Sequence, residues 1–180
     1  MRPTTVQIET ERLLLRKPQL EDVDDLLEFV GDDEVMRWIG GEVGGREEAV
    51  VSVERWIARW ERDGVGQFVV VHDDHVIGRV GLLVWDGLTW ETSSYEAAGS
   101  HAETELGWAL AQRHWGNGYA TEAARAVRDW AHAEHDIDRI ISLIAPDNLR
   151  SARVAEKLGA ERGPEIGTPH GTANVWVHPR

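Results

Sequence analysis

Apolar residues recur along the chain with two different periods, and the changes between them divide it into helices and strands. Leu13-Leu14-Leu15-Arg16 reads as a short strand, and Val23, Leu26, Leu27 and Val30 share one helical face within Leu20 to Val30, ended by Gly31. From Glu47 to Asp63, Val50, Val53, Ile57 and Trp60 mark a second amphipathic helix, closed by Gly64. Two apolar runs, Phe68 to Val71 and Val76 to Trp85, flank His72-Asp73-Asp74-His75 and predict a hairpin. Asp86 to His101 has no periodicity and predicts a long loop, a kind of segment that often carries function.

In the strand from Thr104 to Leu110, alternation puts Glu103, Glu105, Gly107 and Ala109 on one face and Thr104, Leu106, Trp108 and Leu110 on the other. After a glycine-containing turn, Tyr119 to Glu134 is helical, with Ala120, Ala123, Ala124, Val127 and Trp130 as its buried stripe. Arg139 to Ala145 is the next strand, so strand, helix and strand form a crossover that makes the two strands parallel. Asn148 to Leu158 is a further helix stopped by Gly159, and Ala173 to Val177 is a last strand. Hairpins first and a parallel crossover late fit a mixed sheet flanked by helices.

Composition narrows the class. The 180 residues are 42% hydrophobic and 28% charged, with no repeat or linker-like tract, which predicts one globular domain over residues 1–180. The absence of cysteine excludes disulfides, thiolate metal sites and a cysteine nucleophile. The longest apolar runs, such as Val80 to Trp85, fall far short of the roughly 18 residues that span a bilayer. Met1 to Gln7 carries one charge and polar residues without an apolar core, so no leader is expected and the cytoplasm is the default location.

A net charge of −13 argues against nucleic acid as a partner. The charge is uneven. Residues 65 to 112 hold seven carboxylates against the single basic residue Arg79, whereas residues 138 to 180 hold six basic and five acidic side chains and could meet an anion. The acidic stretch predicts a cleft that draws a cationic amine, with Trp90 and Tyr95 packing on it.

The chemistry concentrates at Arg113-His114-Trp115-Gly116-Asn117-Gly118-Tyr119-Ala120, which joins a strand to a helix. Its two glycines let successive N–H groups turn towards one point, as a pyrophosphate requires. A dinucleotide site is the rival, because Gly116-x-Gly118 could open a G-x-G-x-x-G run with Asp138 further on. Thr121 stands at the third glycine position and hairpins precede the motif, which ranks that rival low. His132 and His135 lie three apart on a helix without a third ligand at a recognisable spacing, so they are expected to be surface histidines and no metal is expected. Trp56 and Trp60 read as core rather than as a ligand cage.

Arg113-x-x-Gly116-x-Gly118, then Trp115 to Ala123, Asn148-x-x-Ser151 and Glu156-Lys157-Leu158-Gly159 together resemble the GNAT superfamily of acyl-CoA-dependent N-acyltransferases. With the opening Glu11-Arg12-Leu13-Leu14-Leu15-Arg16, the pattern is similar to the RimJ/RimL branch, which acetylates protein amino termini and small molecules. The resemblance implies an α+β fold: a central mixed, mostly antiparallel sheet of about six to seven strands flanked by about four helices. It implies acetyl-CoA as cofactor, with its pyrophosphate on the backbone from Arg113 to Gly118 and contacts from Leu110, Tyr119, Ala120, Asn148, Ser151, Arg153 and Lys157.

Many members place a tyrosine, the acid for the departing thiolate, where this chain has Ala155, which leaves Ser151 as the candidate near the sulfur. An amine protonated at neutral pH cannot attack a thioester, so a base is needed. Glu105 is the first candidate, with Glu103 beside it on the same face. The acceptor, bound by Trp90, Tyr95, Glu103 and Glu105, is expected to be an amine-bearing small molecule or a peptide amino terminus. The alternative is a catalytically silent acyl-CoA-binding module, and monomer and homodimer both stand open.

Overall fold

In the computed structural model, which describes residues 6–39 and 43–180, fifteen elements build one nine-stranded sheet with six α-helices around it. The first three are β1 (Gln7–Glu9), β2 (Leu14–Arg16) and α1 (Val23–Val30). Next come α2 (Asp33–Ile39), α3 (Arg46–Asp63), β3 (Gln67–His72), β4 (His75–Asp86), β5 (Glu91–Thr92) and α4 (Tyr95–Ala98). The second half comprises β6 (Ala102–Leu110), α5 (Tyr119–His135), β7 (Ile140–Ile144), α6 (Leu149–Lys157), β8 (Glu161–Thr168) and β9 (Gly171–Val177). The amino-terminal stretch read above as lacking a leader lies largely outside the described residues. Among the described residues no helix is long and apolar enough to cross a membrane.

The sheet order is β1-β2-β3-β4-β6-β7-β9-β8, with β5 hydrogen-bonded to β4. Every pair is antiparallel except β6 with β7, where the crossover through α5 requires parallel strands. The fold class is therefore the one expected, while the strand and helix counts exceed the expectation. Each extra element has a local reason. β8 is an outer strand holding Gly163, Pro164 and Gly167 and is mostly exposed, so it shows no apolar alternation. β1 and β5 are three and two residues long, and α2 only seven. α4 sits inside the predicted loop, capped by Ser94, whose hydroxyl oxygen accepts the Ala97 N–H at 3.1 Å.

Two main cores cover the sheet. Ala123, Ala124, Val127 and Ala131 of α5 pack on Phe68, Val80, Leu82, Leu106 and Leu110. On the opposite side Val23, Leu26 and Phe29 of α1 meet Val53 and Trp56 of α3 over Val69 and Ala109. The small residues of α5 let its axis approach the strands closely, which fixes where its amino terminus ends up. A third, smaller cluster seats Ala155 of α6 against Ile144 and Trp176, fully buried.

Candidate active site

β6 and β7 pair only at Thr104 with Ile140 and Glu105 with Ile141, although β6 runs on to Leu110 and β7 to Ile144. Beyond Leu106 the strands part. Ser142 wedges the parting point: its hydroxyl donates to the Leu106 carbonyl at 2.6 Å and lies 2.8 Å from His178 Nε2. The hydroxyl has one proton to give, so His178 must donate to it through Nε2. Burial first, then Arg128 and His132, push His178 down to about 4, which keeps the ring neutral. A cleft of about 900 Å³ opens at the parting, walled by α2, α3, β4, β6, β7, α6 and the start of α5.

At one end lies the glycine turn. Gly116 and Gly118 have φ of +80° and +82°, which disfavours any side chain, and a Cβ at Gly116 would meet nothing within 4 Å. Trp115 Nε1 donates to the Leu110 carbonyl at 2.7 Å and anchors the turn to β6. The first bond into α5 runs from the Glu122 N–H to the Gly118 carbonyl, leaving the preceding N–H groups at the positive end of the helix dipole. Arg113 and Asn117 hold the turn without lining the cleft. Arg113 pairs with Glu28 at 2.5 Å and donates to His114 Nε2, and the Asn117 amide donates to the carbonyls of His114 and Trp115. Burial and the Arg113 charge hold the His114 imidazole below its usual range.

Arg12 and Glu122 brace this turn, a role that sequence reading missed. Burial alone would raise the Glu122 carboxyl, but hydrogen bonds from Thr10 and from the Arg12 backbone and guanidinium hold it low. Arg12 also donates to the Asn117 carbonyl at 3.0 Å and lies over the Tyr119 ring. The leading Glu11 to Arg16 segment thus ties β2 to the start of α5. Its acid partner lies 110 residues away, which no local pattern signals.

α6 lines the same end. Asn148 Oδ1 accepts the Ser151 N–H at 3.1 Å as the helix cap, and Asn148, Ser151, Arg153 and Lys157 all line the cleft. Arg150 lines it as well, lying over Trp115, 4.3 Å from the ring, and pairing with Glu34 of α2 at 3.3 Å. Bare glycine backbone, unspent N–H donors, two basic side chains and the unpaired Gly107–Leu110 edge of β6 fit a phosphate-headed ligand with an extended amide arm.

Glu105 stands at the fork of the strands. Its carboxylate accepts from Trp85 Nε1 at 2.6 Å and from the Leu143 N–H, and Arg79 acts on it. Burial outweighs these and raises its pKa above the usual carboxylate range. A Cβ built on Gly107 would lie 3.6 Å from Arg79 Nη1 and 3.9 Å from Glu105 Oε1, so both groups stand over that glycine on the cleft floor.

The other acceptor-side expectations fall elsewhere. Glu103 pairs with Arg139 at 3.0 Å outside the cleft. The Tyr95 hydroxyl bonds Thr104 Oγ1 at 2.9 Å, its ring packs on the α5 core, and burial raises its phenol. Trp90, at φ +55°, does not line the cleft either. The loop turns away because α3 pins it: Arg62 donates to the Ser93 carbonyl and Asp63 accepts the Tyr95 N–H. The expected negative field is reversed, since Glu105 is the only carboxylate lining the cleft among the described residues. Trp56 lines it while Trp60 donates to the Gln67 carbonyl in the core. His132, expected at the surface, is half-buried and bonds the Ile137 carbonyl with Nδ1 at 2.6 Å.

The mixed sheet, split at its parallel pair with a glycine-led helix start at the split, is that of an acetyl-CoA-dependent acetyltransferase. Residues 12–161 match the Acetyltransferase (GNAT) domain model, and the chain belongs to this acetyltransferase family and uses acetyl-CoA. It is 29% identical over 158 residues to the uncharacterized N-acetyltransferase YnaD of Bacillus subtilis (strain 168), covering 87% of this chain and 84% of YnaD. An acetyltransferase of Agrobacterium tumefaciens str. C58 superposes with a TM-score of 0.79 at 26% identity, covering 100% of this chain and 98% of that one. The fold is shared with aminoglycoside acetyltransferase AAC(6')-Ib in complex with coenzyme A: TM-score 0.74, 22% identity, 93% and 95% coverage.

Proposed function

We propose that the protein moves an acetyl group from acetyl-CoA to a primary amine by direct attack in a ternary complex, as the RimJ/RimL-like sequence pattern suggests. The observation that carries this reading is Glu105, a partly buried carboxylate with a raised pKa at the fork of β6 and β7, in the same cleft as the glycine turn. Acetyl-CoA, when bound, supplies the activated acetyl group. The N–H groups after Gly116 and Gly118 receive its phosphates, Arg153 and Lys157 add positive charge, and the open edge of β6 receives its amide arm.

Glu105 removes a proton from the acceptor amine. A carboxylate whose basicity is raised by burial narrows the gap to the amine. Trp85 and the Leu143 N–H hold it in one orientation. The Ser151 hydroxyl, on the first turn of α6, donates towards the departing sulfur in place of the absent tyrosine, and Ala155 is buried in the core with no access to the cleft. The acceptor is a small-molecule amine or a peptide amino terminus. Thiol release from acetyl-CoA, assayed over a panel of amines with wild type and Glu105→Gln, tests the reading. Tight acetyl-CoA binding with no thiol release on any amine would leave a binding module instead.

A further inference from the structure

Beyond Glu105 the cleft contains a group of side chains that the acetyl transfer does not use. Arg55 and Arg59 stand one turn apart on α3, and Arg79 rises from β4 opposite Ala109; all three line the cleft. Many arginines elsewhere in the chain find acids, as Arg12 does Glu122, Arg16 Asp22, Arg113 Glu28 and Arg139 Glu103. Among the described residues, none of Arg55, Arg59 and Arg79 has a carboxylate within 4.0 Å, whereas Arg37 and Arg150 of the same cleft pair with Glu34. Arg79 Nη1 has one neutral acceptor, Gln67 Oε1 at 3.0 Å.

Burial pushes Arg59 down to about 10, helped by the charges of Arg55, Arg79 and Arg62 and opposed by Asp63. Burial likewise lowers Arg79, with Glu105 its one opposing charge. Three cations against one carboxylate in a partly desolvated pocket leave an excess of positive charge, inside a chain whose net charge is −13. Such groups are retained at a cost unless a ligand supplies the missing anion, and arginine forks suit carboxylates and phosphates in particular. The floor is shaped for it as well. Gly107 has no Cβ, and one placed there would lie 3.6 Å from Arg79 Nη1 and 3.9 Å from Glu105 Oε1, so the Arg79 head passes over this glycine beside Glu105.

We infer that the acceptor is an amine that also carries an anionic group, held by Arg55, Arg59 and Arg79, with its amino group directed at Glu105. This deepens the proposed acetyl transfer and rests on it. The shared chemistry is a compact anion a short distance from a primary amine; an amino-acid or peptide carboxylate and a phosphate monoester are its two sources. Glu105 and the arginines divide the acceptor between them, since a carboxylate beside the amine and cations further along orient a zwitterion in one sense only.

The test compares matched acceptors: a set of free amino acids against their carboxamides, phosphoethanolamine against ethanolamine, and spermidine as a polycation. The expected result is a kcat/KM at least tenfold higher for the anionic member of one pair, and which pair shows it identifies the source. Arg55→Gln, at an exposed position that tolerates substitution, is expected to bring that ratio close to one; Arg59→Gln is the second variant. Equal values within both pairs, or spermidine as the best acceptor, would overturn the inference while leaving acetyl transfer intact. If no amine releases thiol, the transfer reading fails instead. The inference is then decided by titrating the same acceptors by calorimetry in the presence of coenzyme A, where loss of anion preference in Arg55→Gln supports it and indifference to the anion overturns it.

Discussion

Acid should weaken this fold through one ring. His178 sits buried behind the fork, donating to Ser142 Oγ while its Nδ1 finds no partner among the described residues. Its pKa is about 4 in the folded protein against the 6.5 of a free imidazole. The unfolded chain therefore takes up a proton as pH falls through 6.5, and the folded protein does so only near 4. Stability from the neutral ring is complete above 6.5 and is lost progressively between 6.5 and 4. The fall from 6.5 to about 4, at about 1.4 kcal/mol for each pH unit, amounts to about 3.5 kcal/mol in full, of which about 3 kcal/mol is lost by pH 4. For a chain of this size that is roughly 6–12 °C in Tm. Melting curves from pH 7.5 to pH 4 should show it, with His178→Gln as control: glutamine keeps an N–H for Ser142 and cannot titrate. The Tm gap between wild type and variant should shift towards the variant as pH falls. A constant gap, or one moving the other way, would refute a buried neutral histidine at this position.

Four further outcomes follow from the site. Gly118→Val, at φ +82°, should weaken acetyl-CoA binding at least tenfold by calorimetry in a protein that still folds, because a β-branched residue cannot hold the turn. Glu105→Gln should lower kcat by about 10²-fold or more while leaving acetyl-CoA affinity alone, and should not lower Tm, since the neutral amide removes a partly buried charge. The acid limb of the wild-type kcat/KM profile should lie above the usual carboxylate range for the same reason. Glu122→Ala, which strips Thr10 and Arg12 of their shared acceptor, should cost about 1–3 kcal/mol in denaturant unfolding.

Local pattern carried much of this architecture. Two-residue alternation placed Glu105, Gly107 and Ala109 on one face of β6, and that face is the floor of the cleft. Glycines at 116 and 118 marked the helix start because only backbone geometry was at stake there. What stayed hidden depends on residues far apart in the chain. Arg55 and Arg59 lie off the apolar face that identified α3, and nothing near them in sequence indicates that Arg79 of β4 comes to the same pocket. Counting charges along residues 65 to 112 misled for a related reason: Glu103 points out to Arg139, and α3 pins the loop bearing Tyr95 on the other side of the sheet. Polar outer strands such as β8 escape because a strand with little to bury has no alternation to display.

The fork between β6 and β7 also divides the chain by task. The glycine turn, the cap of α6 and the basic side chains beside it all come after Leu110, whereas Arg55, Arg59 and Arg79 come before it. The two halves of the sheet are joined at the fork by a two-rung ladder and the Ser142 wedge. If the three arginines hold the acceptor as inferred, substitutions among them retune which amine is received while the glycine turn and α6 keep their grip on the coenzyme, so acceptor choice and coenzyme binding can evolve as separate inheritances within this fold.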